Sequence, residues 1–537
     1  MRVFLLSCLC VVIPAVHARE LTVAPGRAGE PVLSVAVAAA QPGDTVRVTK
    51  GVYREAITLA KSITIVGEPG ATLDPSERLQ LPWRQVADIG AGVYRAATDR
   101  KPATLFLGGR VLAELDERRA GAAGQWFWKT LLAEGPPLSG FTYIRALWIY
   151  RSDEKAVYLR VENNADPATL PLTAVWTRGA IVTFDAATNA SIRGLTLAHG
   201  FSGVSFAKGS RACTVSECTI GPWDKVGVDV GSGAAGCLVE RNEIFRGAHE
   251  EWAPIEPVKP RYEVWQVHKK VGFYDRIGVS VVRAGAGNRI HANHVFETFD
   301  GINVGDSSVE SLDKPLRSAD DGRDTEIWDN VIERTRDSGI ELGAGCINVR
   351  VHHNVLRQTH GGLRFKLPRI GPVFIYRNVL LDGAPFNIWY SMDDSPAEGY
   401  VYHNTIIGGS PALVYSSFET PHHIGAPQWH YLNNLVIGRQ GFFRNWRVQA
   451  PVNFTADYNV VVGGNKPYPD DPAKDHHSRY VNDVPLADGF PPRPQLDSAA
   501  VDAGLDLSTY FHGKPLPGCE PGYFRGAAPD AGAYEVK

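Results

Sequence analysis

Cysteine is scarce and poorly placed for cross-linking. Seven occur in 537 residues, and two of them, Cys8 and Cys10, fall in the first ten positions. The other five (Cys213, Cys218, Cys237, Cys346 and Cys519) are odd in number and include no C-x-x-C pair, which argues against a disulfide framework and against a zinc site. Basic blocks are missing as well. The formal net charge is −3 and the pI is near 6.6, so nucleic acid is a poor partner. No HExxH helix exists, because the HEEWA stretch at His249, Glu250 and Glu251 has no second histidine four positions on. Nucleophile motifs of the Ser/His/Asp or Cys type and phosphate-cradling loops are absent too. Past the first twenty residues no apolar run is long enough to cross a bilayer, so no membrane partner is expected. The opening stretch carries one Arg, an apolar run and then Val16-His17-Ala18; it reads as a signal peptide over residues 1–18, which implies a secreted or periplasmic protein.

Glycine and proline are plentiful, at 54 and 36, and apolar residues make up 44%. That is enough for a large core interrupted by many turns. The order within this material is periodic. Asparagine returns to one slot of a short apolar phrase at Asn242, Asn293, Asn330, Asn354, Asn378, Asn404 and Asn434. Two successive steps are 24 residues, and counting back by 24 from Asn242 reaches Cys218 and then Gly194. A repeat in the twenties built from short β phrases is the mark of a solenoid, whose laps must stack to bury their apolar faces. A stacked asparagine in every lap would satisfy its amides on its neighbours.

A second phrase follows each slot: SGVSF from Ser202, VGVDV from Val226, IGVSV from Ile277, DGINV from Asp300, SGIEL from Ser338 and GGLRF from Gly361. Its alternation has the period of a strand, and the recurrent glycine suits a corner that a side chain would obstruct. The fold class is therefore all-β: a right-handed parallel β-helix solenoid with a small inserted antiparallel β subdomain. Five segments are expected. They are the signal peptide 1–18, a cap and first coils over 19–79, the insert over 80–177 with a hairpin turn at Gly108-Gly109, the main helix over 178–465, and a closing segment over 466–537. Pro31 to Ala40 reads as a helix that covers the first coil. Two laps are stretched, 51 residues from Asn242 to Asn293 and 37 from Asn293 to Asn330. Their excess falls near 247–273 and 306–323, and long loops on a rigid scaffold tend to carry function.

Pro42-Gly43-Asp44, Gly51-Val52-Tyr53 and the terminal PDAGAYEVK resemble phrases of the pectin-lyase-like superfamily of secreted carbohydrate-active proteins. The resemblance covers about four fifths of the chain. It implies the right-handed parallel β-helix and a polysaccharide or oligosaccharide partner. The insert is similar to one found in some β-helix glycoside hydrolases.

Stacking the second phrase predicts an outward column of Ser205, Asp229, Ser280, Asn303, Glu341 and Arg364. One residue ahead of the phrase stand Phe201, Lys225, Arg276, Phe299, Asp337 and His360. Charged residues bunch on three coils. Glycoside cleavage needs two carboxyl groups about 5–10 Å apart, and Asp300 with Glu341 is the expected catalytic pair, Asp337 the substitute. Expected substrate contacts are Asn303, His360, Arg364, Lys366, Arg276, Trp252, Trp265, His268 and Trp389, with Tyr274, Tyr390 and Tyr415 nearby as stacking rings. A surface ladder pair of Glu341 and Arg364 is the plain structural alternative, and His352-His353 read as outward surface residues. No metal and no cofactor are expected for a hydrolase. A Ca²⁺-assisted lyase or epimerase on uronates is the first alternative, with Lys225, His360, Arg364 or Lys366 as base and Asp229, Asp300, Asp306 and Glu341 as metal ligands. A non-catalytic glycan-binding surface protein is the second. The Asp320–Asp324 run reads as a solvated acidic turn.

Overall fold

The computed structural model describes residues 18–27, 30–115, 128–135, 144–231, 233–247, 275–305, 321–343, 345–366, 371–381, 384–390, 398–408, 413–417, 429–438, 443–444, 454–463 and 475–536. Most of them form coils of a parallel β-helix. The first sheet holds thirteen parallel strands, from Glu20–Val23 to Phe454–Asp457. A second runs through Thr219–Ile220, Glu243–Phe245 and His294–Phe296, and a third through Gly200–Phe206, Trp223–Val230, Ile277–Val281 and Asp300–Val304. Strands Val331–Leu342 and Val355–Lys366 turn the corner from the second sheet to the third without a break. Each strand pairs in register with its equivalent one coil away, so alternate side chains such as Val204, Val228, Val279, Ile302, Ile340 and Leu363 fill one continuous core.

The asparagine slot is a ladder. The side-chain amide of Asn242 donates to the Oδ1 of Asn293 at 2.9 Å, and the pattern repeats at 2.9–3.0 Å from Asn293 through Asn330, Asn354, Asn378, Asn404 and Asn434 to Asn459. Asn459 extends the series by one member. The Cys218 N–H donates to Asn242 Oδ1, which puts that cysteine in the slot. Gly194 is not in it. Thr196 pairs with Thr219, so the coil is one residue shorter than a 24-residue count assumes and Leu195 takes the place.

The recurrent glycine is explained by close approach. A Cβ on Gly301 would lie 2.3 Å from the Gly339 carbonyl oxygen, and one on Gly227 2.6 Å from that of Gly278. Successive corners touch backbone to backbone, and only glycine allows it.

A helix, Val32–Ala39, covers the first coil; Glu55 accepts from the N–H groups of Leu33 and Ser34 at 2.8 Å and satisfies its start. Antiparallel strands between Glu77 and Val175 make the inserted subdomain, with a two-residue turn at Gly108-Gly109 between paired Leu107 and Arg110. The last described segment folds back along the first sheet. There Tyr402 donates to Pro517 O at 2.6 Å and Asn433 to Leu505 O at 2.8 Å. The cysteines among the described residues, Cys213, Cys218, Cys237, Cys346 and Cys519, are free and buried. No described helix is long and apolar enough to cross a membrane.

Candidate active site

The third sheet carries the outward column. Its printed register runs Thr58, Thr183, Ser205, Asp229, Ser280, Asn303, Glu341, Arg364 and Asn387. Neighbours in it stand one rung, about 4.8 Å, apart. Residues remote in the chain thus become adjacent: Asn303 lies beside Glu341, and Glu341 beside Arg364.

Three carboxylates converge here. The Ser338 N–H donates to Asp300 Oδ1 at 3.1 Å, and its hydroxyl donates to Glu341 Oε2 at 3.3 Å. One serine therefore stands between the two carboxyl groups. Arg364 donates through Nη1 to Glu341 Oε2 at 3.3 Å and through Nη2 to Asp337 Oδ1. The cluster is sunk rather than spread over an open face, with exposures of 3% for Asp300, 7% for Asp337, 4% for Glu341 and 4% for Arg364. The Glu341–Arg364 contact is accordingly not the surface pair that the sequence allowed. Burial of such a pair costs desolvation that attraction alone rarely returns.

Two more titratable groups share this sheet toward the N-terminal coils. Burial pushes the Asp229 carboxyl up from its ordinary range, against the hydrogen bond from Ser280. Burial, reinforced by Arg276, pushes the Lys225 ammonium down, while the amine donates to Asp275 O at 3.0 Å. The Nε of Arg276 lies 3.4 Å from Asp224 Oδ1. His360 is half-buried beside the cluster. Trp252, Trp265, His268, Tyr274 and Asp306 lie outside the described residues, as does Asp320. Lys366, Trp389, Tyr390 and Tyr415 are placed in third-sheet strands by backbone alone.

The histidine pair corrects the sequence reading. His352 is buried in a stack of rings on the first sheet, 4.6 Å from Tyr376 and 6.1 Å from Trp328 between centroids, and Glu326 meets its Nε2 at 3.1 Å. His353 remains exposed. An aromatic ladder had no separate signature, because its members His291, Trp328, His352, Tyr376 and Tyr402 align only once the register is known. Two residues of consequence went unassigned. Ser338 was visible in the SGIEL phrase, and Asp224 directly precedes Lys225, but their partners lie many residues away.

Among the described residues no group of three or more His, Cys, Asp or Glu side chains is arranged to hold a metal ion.

One family model and one solved structure support this architecture. Residues 179–365 match the model of the right-handed beta helix region. The structure of XylC with xylose aligns over 87% of this chain and 87% of its own, with 16% identity and a TM-score of 0.51. Pectate lyase Pel9A aligns over 97% of this chain and 96% of its own, with 14% identity and a TM-score of 0.44. The A-module of mannuronan C-5 epimerase AlgE6 from Azotobacter vinelandii aligns over 80% and 94%, with 12% identity and a TM-score of 0.40. No curated protein matches the chain in sequence. The chain has the fold of a right-handed parallel β-helix.

Proposed function

We propose that this protein is a secreted glycoside hydrolase that cleaves a polysaccharide or oligosaccharide, with Asp300 and Glu341 as its working carboxyl groups. The observation that carries the reading is the buried meeting of Asp300, Asp337 and Glu341 around Ser338 and Arg364. Buried charge clusters are weak stabilisers, whereas clustered titratable groups mark functional sites. XylC, which shares the fold, is known with xylose, and that makes a sugar substrate the first to test.

In this reading one carboxyl protonates the glycosidic oxygen as the bond to the anomeric carbon breaks. The other attacks that carbon or draws a proton from the incoming water. We assign attack or base action to Glu341, which Arg364 orients and provides with a counter-charge, and the acid to Asp300. Ser338 fixes the two relative to each other. Asn303, one rung from Glu341, and His360 are assigned to substrate hydroxyls.

The test is a screen of plant, algal and animal glycans with the natural protein, Asp300→Asn and Glu341→Gln. Turnover should fall on the order of 10³-fold in each variant, with the fold intact by circular dichroism. Natural turnover in both variants would remove these residues from the chemistry. Glycan affinity without turnover, unchanged in Asp300→Asn, would identify a binding protein instead.

One observation favours a second reading, elimination or epimerisation on a uronate: the lowered Lys225 ammonium beside Asp229 suits proton abstraction next to a carboxylate. An unsaturated, ultraviolet-absorbing product that disappears in Lys225→Met would replace the hydrolase assignment.

A further inference from the structure

Two cysteines meet across one rung of the solenoid. Cys213 and Cys237 lie 24 positions apart, in successive coils. The pairing keeps that spacing on both sides of them: Arg211 bridges Ala235 just before, and Thr214 pairs with Leu238 just after. The Leu238 N–H donates to Cys213 O at 2.8 Å, so the two cysteines stand in register. Both side chains are wholly buried in the continuous core. In-register neighbours on parallel strands are about 4.8 Å apart, inside the Cα range that a disulfide spans without moving the backbone. The pair has clear ends. The same position is Ala190 one coil earlier and Asn288 one coil later, and Asn288 Oδ1 accepts from Cys237 N–H at 3.0 Å. Cys218 belongs to the asparagine slot instead.

The two sulfurs interact. Cys213 Sγ lies 3.3 Å from Ala187 O and 3.4 Å from Arg211 O, and Cys237 Sγ lies 3.7 Å from Ala235 O. A hydrogen bond from the Cys237 thiol lowers the Cys213 pKa against the effect of burial, and the same bond, with burial, raises that of Cys237. A lowered thiol is the readier nucleophile. We infer that Cys213 and Cys237 form a cross-linking site, at which a disulfide joins two successive coils of the β-helix. The reaction is thiol–disulfide exchange, with a small-molecule or protein disulfide as the oxidant. The Cys213 thiolate attacks one sulfur of the oxidant and releases the first thiolate. Cys237 then gives up its proton, attacks the Cys213 sulfur and releases the second. Two thiols become one disulfide, the oxidant is reduced to two thiols, and the two protons end on them. Because both sulfurs are buried, exchange needs the coils apart, either before they stack or in a local opening. The secreted location proposed above would supply such an oxidant. The cross-link does not depend on the hydrolase reading.

The experiment is peptide mapping of the full chain, produced in an oxidising compartment and then equilibrated with oxidised glutathione. Remaining thiols are capped in denaturant before digestion with trypsin. Peptides 212–225 and 226–241 hold the two cysteines and should appear joined, two hydrogens lighter than their sum, until dithiothreitol separates them. Peptide 212–225 also holds Cys218, so Cys213→Ala should abolish the joined pair and Cys218→Ala should leave it. Should a variant fail to fold, fragmentation of the joined pair assigns the sulfur without it. Both cysteines recovered as capped thiols, glutathione on one sulfur alone, or a bond at Cys218 would overturn the site. Dithiothreitol should also lower the apparent Tm of the cross-linked natural protein by about 3 °C or more and leave that of Cys213→Ala unmoved. No shift in the natural protein, or an equal one in the variant, would overturn the hold of this bond on the coils.

Discussion

Glu333 illustrates how single charges are managed on this scaffold. Its side chain is almost wholly buried, accepts from His294 Nε2 at 3.1 Å, and is met by Arg357 and Arg334. Burial opposes ionisation, but the His294 hydrogen bond and Arg357 hold the carboxyl down to about 2. A carboxyl lowered on folding contributes its stability above the unfolded value near 4.5 and loses it as pH falls from there toward 2. Glu333→Gln should therefore cost roughly 2 kcal/mol at pH 7 in denaturant melts, and the gap from the natural protein should close by pH 2.5. A gap that persists in acid would make the loss one of shape rather than charge. Nothing in the phrase IERTR marked this residue, because His294 and Arg357 lie 39 and 24 positions away and only stacking brings them together.

Elements are governed by the coil corner. The residue before each ladder asparagine is left-handed, with φ of +52° to +57° at Arg241, Ala292, Asp329, His353, Arg377, His403, Asn433 and Tyr458. None of these positions is glycine, and each such conformation costs about 1 kcal/mol or more. The ladder offsets that cost, since each amide joins two coils. Asn354, fully buried, accepts from both the backbone and the side chain of Asn330. Asn354→Ala strands those donors and opens a small void. It should cost about 2–4 kcal/mol, read as faster exchange in the coils on either side. A neutral effect would show that the corner holds without its amide. The ladder could be read from the phrases directly. Its exact membership could not, because Leu195 enters and Gly194 leaves through a one-residue change in coil length.

At the scale of the molecule, the closing segment completes the core. Leu507, Leu516 and Cys519 bury Phe374, Tyr376, Tyr400, Tyr402 and Leu432, which would otherwise form an apolar stripe on the first sheet. The end of the chain is tied down as well, with Ala533 N–H donating to Thr405 Oγ1 at 2.9 Å and Asp530 N–H to Glu535 at 3.1 Å. Burial, then Asp530, pushes the Glu535 carboxyl up to about 7, with Asp502 adding to it and Arg377 opposing. A raised carboxyl leaves the fold most stable below its unfolded value near 4.5, and that advantage is lost as pH rises through 7. Amides of 502–536 should accordingly be better protected at pH 5.5 than at pH 8, and Glu535→Gln should flatten the difference. Equal protection at both values in the natural protein would refute the linkage.

Periodicity sufficed for the architecture, since the apolar alternation and the asparagine slot depend on each lap repeating a local pattern. The same periodicity aligned Asp229, Ser280, Asn303, Glu341 and Arg364 into one column, because register follows from equal lap lengths. It gave no account of depth or of partners. That Ser338 stands between Asp300 and Glu341, that Arg276 turns to Asp224, and that His352 is enclosed by Trp328 and Tyr376 depend on bulges, on loops that break the count and on the segment that folds back. Those are contacts between laps of unequal length, and three-dimensional stacking sets them where no repeat in one dimension can.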